Sequence, residues 1–176
     1  MYIIGDVHGK IPQYNRLIAG LDYSLQLGDM SFRYDQIQAG PNHKFFGGNH
    51  DNYDSIQYSP HYVNKRFGQV KLDREVFIVE GAFSIDIAYR LMGHVKGESK
   101  SWWPQEELTF KEMNECLRLY AEMKPDVVVT HTCPTSIENI IGNPRTLDMY
   151  GLSGYVSRTH ELLQAMLDTH SPAVWA

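Results

Sequence analysis

Acidic and imidazole side chains stand at spacings that suit metal binding, and the first pair lies near the start of the chain. Asp6 and His8 are separated by one residue, with Gly5 and Gly9 on either side. A carboxylate oxygen and an imidazole nitrogen together suit Mn, Fe, Zn or Ni, whereas a core Asp without a partner is costly. The glycines permit a sharp turn and a close approach of the backbone to a ligand. One such pair also fits a solvated turn, so its recurrence along the chain matters.

Three later stretches repeat this pattern. They read Gly-Asp at residues 28–29, Gly-Asn-His-Asp at residues 48–51 and Thr-His at residues 130–131. An Asp or Asn after glycine is usually a turn former, and a single His usually lies at the surface or in a satisfied core position. Because each stretch comes directly after an apolar run, the recurrence favours one shared ligand site.

The apolar runs predict the strands that must position these side chains. They cover residues 1–4, 23–27, 44–47 and 126–130, and the last run is apolar enough for a strand that is buried on both faces. In α/β sheets, ligands gather beyond the carboxyl ends of the strands. Loops at those ends bring together residues that are distant in sequence.

Helices and further strands are predicted between and after these runs. Helical spacing of apolar residues predicts a helix over residues 12–19 and a final helix over residues 156–168. A capping box at Thr109 and Glu112 begins a helix that Pro125 ends. Four consecutive strands are predicted over residues 70–72, 76–79, 82–85 and 88–91, and a C-terminal strand over residues 171–176. One helical turn is predicted over residues 102–107. Loops are predicted over residues 30–42, 93–101 and 143–154.

Length and composition favour a single domain over residues 1–176 that lacks a large nucleic-acid surface. The formal net charge is −5 and no basic block is present, although a bound metal would still attract a small phosphate-bearing substrate. Cys116 and Cys133 lie far apart, so neither a disulfide framework nor a thiolate zinc cluster is indicated. No long apolar run predicts a membrane span or a signal peptide, and we expect a cytoplasmic protein.

Taken together, the four stretches resemble the signature blocks of the calcineurin-like metallophosphoesterase family. They stand in the family's order over about residues 1–134. Gly9 and Arg33 resemble most the branch that contains serine/threonine protein phosphatases and dinucleoside-tetraphosphate hydrolases. The resemblance implies an α/β fold, a layered α-β-β-α sandwich with mixed sheets in the middle and helices outside.

The resemblance also implies a site for two divalent metal ions, with Mn favoured and Fe, Zn, Ni or Mg as alternatives. Asp6, His8 and Asp29 would hold one ion. Asp29 would bridge to the second ion, which Asn49 and His131 would also hold. Two cations that straddle a phosphoryl group lower the pKa of a bound water and offset the charge of an in-line displacement.

Further residues receive roles from the same resemblance. His50 would give a proton to the leaving oxygen, and Arg33 would contact a phosphate oxygen. That branch usually has Asp immediately before this Arg, where it orients the catalytic His, but Phe32 occupies the position here. Asp51, taken as a catalytic residue, and Asp54 are the candidates for the partner of His50.

One family block has no counterpart in this sequence. The family closes with Gly-His-x-His, which supplies one His to each metal, and nothing similar follows residue 175. Residues 93–96 resemble it, but they precede His131, and a surface loop is predicted there, with a relocated ligand at His94 as the alternative. His160 and His170 are expected on helix surfaces. The expectation is a fold incomplete at its C-terminus, with weak metal occupancy, reduced activity and a sheet edge open to self-association.

These observations predict metal-dependent hydrolysis of a phosphate ester. Phosphomonoesters, either phosphorylated small molecules such as nucleotides or phosphoproteins, are favoured because of Gly9 and Arg33. A phosphodiesterase or nuclease on the same site is one alternative, and a catalytically impaired remnant with a binding or regulatory role is another. Core packing is predicted for Trp102 and Trp103, with a partner surface or a substrate lid as alternatives.

Overall fold

A parallel sheet positions three of the four candidate stretches. In the computed structural model, which describes residues 1–176 apart from the side chain of residue 144, this sheet has the order β1-β2-β3. The strands are β1 (Tyr2–Ile4), β2 (Ser24–Gln26) and β3 (His43–Phe45). Their pairing is parallel throughout, so their carboxyl ends lie at one edge of the sheet. The strands predicted over residues 1–4, 23–27 and 44–47 are confirmed, each about one residue shorter or shifted at its ends.

The remaining strands form a mixed sheet of order β4-β5-β6-β7. Its strands are β4 (Phe67–Lys71), β5 (Glu75–Val79), β6 (Val127–Thr130) and β7 (Val174–Trp175). β4 and β5 are antiparallel, whereas β5, β6 and β7 run parallel to one another. The chain is therefore mixed α/β. β7 confirms the strand that residues 171–176 predict.

The helices lie between and after the strands. They are α1 (Ile11–Ile18), α2 (Ile87–Val95), α3 (Phe110–Met123), α4 (Thr135–Ile141), α5 (Pro144–Met149) and α6 (Arg158–Thr169), with 3₁₀ turns at Tyr34–Gln36, Ile56–Tyr58 and Pro104–Glu106. The capping box of α3 is present, because Thr109 and Glu112 each accept a hydrogen bond from the other's backbone amide. The helix ends in a left-handed residue, Lys124, directly before Pro125.

One buried cluster contains residues of both sheets. Leu25 of β2 joins Val76 and Ile78 of β5 and Val129 of β6 in this cluster. Apolar contacts between the sheets therefore hold the carboxyl ends of β2 and β6 in a fixed relation, which the candidate site requires.

The residues that alternate with these in β5 and β6 point to the other face of the sheet, where they pack against helices. Phe77 of β5 and Val128 of β6 belong to a cluster with Tyr120 of α3 and Leu163 of α6. This alternation is the two-residue repeat of a strand, and it confirms that β6 is buried on both faces. A third cluster joins α1 to the turn after β1 and to Phe45 of β3.

Two predicted strands are wrong, and helices occupy parts of the loops predicted over residues 93–101 and 143–154. Residues 88–91 belong to α2, in which Asp86 and Arg90 form an ion pair one helical turn apart, and residues 82–85 are an irregular segment. These short apolar runs carry no clear period, so length and hydrophobicity alone could not separate helix from strand. The loop predicted over residues 143–154 contains α5, for which the Asn143 side chain accepts a hydrogen bond from the Arg145 amide.

Strands at the sheet edges and the lengths of the helices bear on partners. β1 is an edge strand on which Tyr2 and Ile3 are 58% and 40% exposed, and edge-to-edge self-association stays a prediction. Among the described residues, no helix combines the length and apolar character that a membrane crossing needs.

Candidate metal centre

The predicted ligands lie beyond strand ends of both sheets. Asp6 and His8 follow β1, and Asp29 follows β2. Asn49 comes after β3, while His131 directly follows β6 of the mixed sheet. The candidate centre therefore joins the two sheets at their carboxyl edge, where ligands of α/β sheets are expected to gather.

The turns that carry these ligands depend on close backbone approach. A Cβ atom added at Gly28, where φ is +100°, would lie 2.7 Å from the Gly48 Cα and 2.8 Å from the His131 Nδ1. His8 and Asp29 themselves have left-handed φ values of 47° and 58°. Such strained backbone at non-glycine residues is costly, and it concentrates at functional sites.

Asp29 lies at the middle of the centre, with its side chain only 4% exposed. Its Oδ2 is 3.7 Å from the His8 Nε2, and its Oδ1 is 3.3 Å from the His131 Nε2. The same Oδ1 accepts a hydrogen bond of 2.7 Å from the His50 amide. The Asp6 carboxylate completes this group, with its Oδ2 3.4 Å from the His8 Nε2.

Hydrogen bonds orient His131 and Asn49 so that acceptor atoms face one another. The His131 Nδ1 lies 2.7 Å from the Leu27 carbonyl and donates to it, so whenever the ring is neutral, as metal binding requires, the Nε2 is an acceptor. The Asn49 Nδ2 donates to Ser84, which turns its Oδ1 toward the His131 Nε2 at 3.0 Å. Acceptor atoms that converge in this way suit a cation between them.

The donor set fits a divalent metal ion. Asp6, Asp29 and His131 each offer one ligand atom, and these atoms lie within 4.8 Å of one another. Two carboxylates and one imidazole are ligands that Mn, Fe and Zn accept. The side chains of Asp6 and His8 are about half exposed, at 51% and 50%, whereas that of His131 is 6% exposed. The centre is therefore open to solvent on the Asp6 side.

His50 lies beside this open side. Its ring contacts that of His8 edge-on, with 5.3 Å between the ring centroids. The Arg90 Nη2 lies 2.9 Å from both ring nitrogens of His50. Partial desolvation of the imidazolium lowers the pKa of His50 and the Arg90 charge lowers it further, while the Asp29 charge opposes both effects.

The Asp51 side chain holds two turns of the site together. It is not the partner of the His50 ring, which corrects the prediction. Its carboxylate is fully buried and accepts hydrogen bonds from the backbone amides of Asp29, Gly48 and Ser31 and from the Tyr34 hydroxyl, at 2.8–3.0 Å. Burial raises the pKa of Asp51 to about 6. These bonds tie the turn after β2 to the turn after β3.

Two other residues that are predicted to act in the site, Asp54 and Arg33, make no contact with the centre. Asp54 forms an ion pair with Lys100 at 2.9 Å, so it too is not the partner of His50. Arg33 is exposed at the start of a 3₁₀ turn, and its guanidinium has none of the hydrogen bonds or ion pairs found among the described residues. Its contact with a phosphate oxygen stays a prediction.

Sequence reasoning missed Arg90, whose side chain is 6% exposed. The Nε forms an ion pair with the Asp86 carboxylate at 2.9 Å, and Nη1 donates to the carbonyls of Asn49 and Ser101 at 2.8 and 3.1 Å. The Nη1 also lies 3.5 Å from the Glu106 carboxylate. The spacing of Asp86 and Arg90 could have indicated a helical pair, but the strand predicted over residues 88–91 obscured it.

Sequence reasoning also missed Glu106, which supports Asn49 through the Ser84 hydroxyl. The Ser84 hydroxyl that accepts from Asn49 donates in turn to Glu106, which also accepts from the Trp103 amide at 3.1 Å. Burial raises the pKa of Glu106 to about 7. Trp103 itself is 1% exposed, which confirms core packing for that residue.

Three other histidines for which the sequence gives an expectation, His94, His160 and His170, lie on helices or at helix ends. His94 is exposed in the last turn of α2, a helix where a loop is predicted. His160 and His170 are partly buried rather than on the surface, because the His160 Nε2 contacts the Thr132 hydroxyl at 2.8 Å and the His170 Nε2 contacts the Pro125 carbonyl at 3.2 Å.

Comparisons of the chain with models of known families, with curated proteins and with solved structures give no match.

Proposed function

We propose that this chain is a metal-dependent hydrolase of phosphate esters, with an α-β-β-α layered sandwich of the calcineurin-like metallophosphoesterase type. The observation that carries the proposal is the convergence on Asp29 of the His8 side chain after β1, the His50 backbone amide after β3 and the His131 side chain after β6. Acceptor atoms of His131, Asn49 and Asp29 face one another there, which favours a bound cation. The three buried clusters support the layered arrangement.

The ligands divide into two overlapping sets around Asp29. Asp6, His8 and Asp29 would hold one divalent ion, and Asp29, Asn49 and His131 would hold a second. Mn is the favoured metal, and Fe, Zn, Ni or Mg are the alternatives. When bound, such ions supply a hydroxide nucleophile near neutral pH and offset the charge of the phosphoryl group.

The protein's own residues orient the site and move a proton. The Leu27 carbonyl fixes the ring of His131, and Ser84 fixes the amide of Asn49. His50 stands at the open side of the centre, where it would give a proton to the leaving oxygen of the substrate. A lowered pKa makes the imidazolium of His50 a stronger acid but leaves a smaller fraction of it protonated near neutral pH.

Asp29→Asn tests the proposal through hydrolysis of p-nitrophenyl phosphate and bis-p-nitrophenyl phosphate with added Mn²⁺. The change removes a central charged ligand, so turnover should fall roughly 100-fold or more while the fold persists. Asp22→Asn, an exposed residue, is the matched control and should keep wild-type turnover. Wild-type turnover that survives in Asp29→Asn would contradict the proposal.

The two substrates also separate the alternatives. Cleavage of the monoester favours the phosphatase, and cleavage of the diester alone would replace it with a phosphodiesterase or nuclease. A wild-type chain that binds Mn²⁺ but cleaves neither substrate would favour a binding or regulatory role.

A further inference from the structure

Arg90 brings a buried guanidinium to the edge of the candidate metal centre. Two of its nitrogens have oxygen partners, because Nε forms an ion pair with the Asp86 carboxylate and Nη1 donates to the carbonyls of Asn49 and Ser101. These contacts attach the guanidinium to α2, to the turn after β3 and to the segment after α2. A donor fixed in this way loses little entropy when it binds a ligand.

Among the described residues, no oxygen atom accepts a hydrogen bond from the third nitrogen, Nη2. It lies 2.9 Å from both the Nδ1 and the Nε2 of His50. In a neutral imidazole at most one of these nitrogens accepts a hydrogen bond. An atom that is equidistant from both lies along the lone pair of neither, so the contact leaves donor capacity unused.

The position of Nη2 decides which ligand it would meet. It lies against His50, whose amide donates to the Asp29 carboxylate and whose ring contacts that of His8. A phosphoryl group that contacts the His50 ring would therefore have an oxygen beside this nitrogen. Guanidinium groups bind phosphate oxygens through short charge-assisted hydrogen bonds.

We propose that Arg90, rather than Arg33, supplies the principal cationic contact to the phosphate group of the substrate. Arg33 lies exposed outside the centre, and its guanidinium has no hydrogen bond or ion pair among the described residues. The Arg90 guanidinium, in contrast, contacts Asn49 and His50 of the centre, and it also contacts Glu106, which supports Asn49 through Ser84. The inference rests on the proposed function, because it assigns a residue to the phosphate that this function requires.

The test compares Arg90→Gln with Arg33→Gln in the presence of Mn²⁺. Inorganic phosphate is the probe, measured both as a competitive inhibitor and by titration calorimetry. Loss of one charge-assisted contact should weaken phosphate binding roughly 10- to 100-fold in Arg90→Gln. Metal content should stay at the wild-type level, which a merely structural role for Arg90 would not preserve. Arg33→Gln should change phosphate binding less than about 2-fold, as expected of an exposed charge.

A second pair of variants protects the test against misfolding. Arg90→Gln leaves Glu106 buried beside an uncharged partner, so Arg90→Gln/Glu106→Gln removes both charges together. Arg90→Lys keeps the charge without the forked donors and should weaken phosphate binding by a smaller factor than Arg90→Gln does. Both variants are checked by circular dichroism before phosphate is added.

The outcomes separate this inference from the proposed function. Wild-type phosphate affinity in folded Arg90→Gln, or a larger loss in Arg33→Gln, would overturn the role of Arg90 while leaving hydrolysis intact. A wild-type chain that neither hydrolyses phosphate esters nor binds phosphate would overturn both. Weakened phosphate binding in Arg90→Gln at unchanged metal content supports the role.

Discussion

At the scale of single residues, the centre combines buried carboxylates that differ in their partners. The Asp51 carboxylate accepts four hydrogen bonds, and these bonds hold two turns together. The Asp29 carboxylate accepts a hydrogen bond from the His50 amide, and it also faces ring nitrogens of His8 and His131. The first carboxylate is satisfied by the protein, whereas the second is placed to share a ligand. Residues of one chemical type thus separate into support and binding according to what surrounds them.

Glu106 is a buried carboxyl whose titration should affect stability. Burial raises its pKa from 4.5 to about 7, so the folded state holds the proton more tightly than the unfolded chain does. Its contribution to stability is therefore largest below about pH 4.5 and is lost as the pH rises to about 7. The free energy of unfolding of wild type, relative to Glu106→Gln, should fall by roughly 3 kcal/mol across this interval.

Urea unfolding of both proteins at several pH values between 4.5 and 8 measures this difference. Glu75→Gln, at an exposed residue, should follow the wild-type pH dependence. A relative stability that rises with pH would mean that the attraction between Arg90 and ionised Glu106 outweighs the cost of burial.

Spacing in the sequence was enough to find the residues that the centre brings together, but not those that support them. Asp6, His8 and Asp29 stand beside glycines after apolar runs, and this local pattern is visible in one dimension. Arg90 and Glu106 lie about 40 and 55 residues after Asn49 in the sequence, and only the packing of their segments brings them to the centre. No local pattern records such a contact.

At the scale of elements, the turn after β3 approaches the turn after β2 so closely at Gly48 that no side chain fits at this position. A Cβ atom at Gly48 would collide with the Asp29 Oδ1 and would lie 2.8 Å from the His131 Cε1. Because Asp29 would have to move, Gly48→Ala should abolish most Mn²⁺ binding and destabilise the fold by about 1–3 kcal/mol. Calorimetric titration with Mn²⁺ and urea unfolding measure the two effects.

Gly20→Ala is the matched control for this change. A Cβ atom at Gly20 meets nothing within 4 Å, so Mn²⁺ affinity should remain that of wild type. Wild-type Mn²⁺ affinity in Gly48→Ala would show that the contact between the two turns is not needed to place Asp29.

Element types were predictable where the period of the sequence was clear. α1, α3 and α6 have apolar residues at helical spacing, and β6 is short and almost wholly apolar. α2 was mistaken for a strand because most of its apolar residues stay exposed, among them Tyr89 and Val95 at 74% and 80%. The contacts of Arg90 fix this helix instead of an apolar face, and hydrophobic periodicity carries no record of them.

At the scale of the whole molecule, the candidate centre spans a boundary between two sheets. The parallel sheet contributes Asp6, His8, Asp29 and Asn49, and the mixed sheet contributes His131. Apart from the shared apolar cluster, the sheets are linked near the site by the hydrogen bond from the His131 ring to the Leu27 carbonyl. A metal ion held by residues of both sheets would add a further link between them.

Metal binding should therefore stabilise the whole fold, and residues of both sheets should be needed for the effect. Mn²⁺ at about 100 times its Kd should add roughly 2.7 kcal/mol to the free energy of unfolding, because the ion binds the folded state alone. For a chain of this size the melting temperature should rise by about 5–10 °C, measured by differential scanning calorimetry with Mn²⁺ and with a chelator. Asp6→Asn and His131→Gln should each lose most of this rise, whereas exposed His94→Gln should keep it. A full rise in His131→Gln would mean that the parallel sheet holds the metal without the mixed sheet.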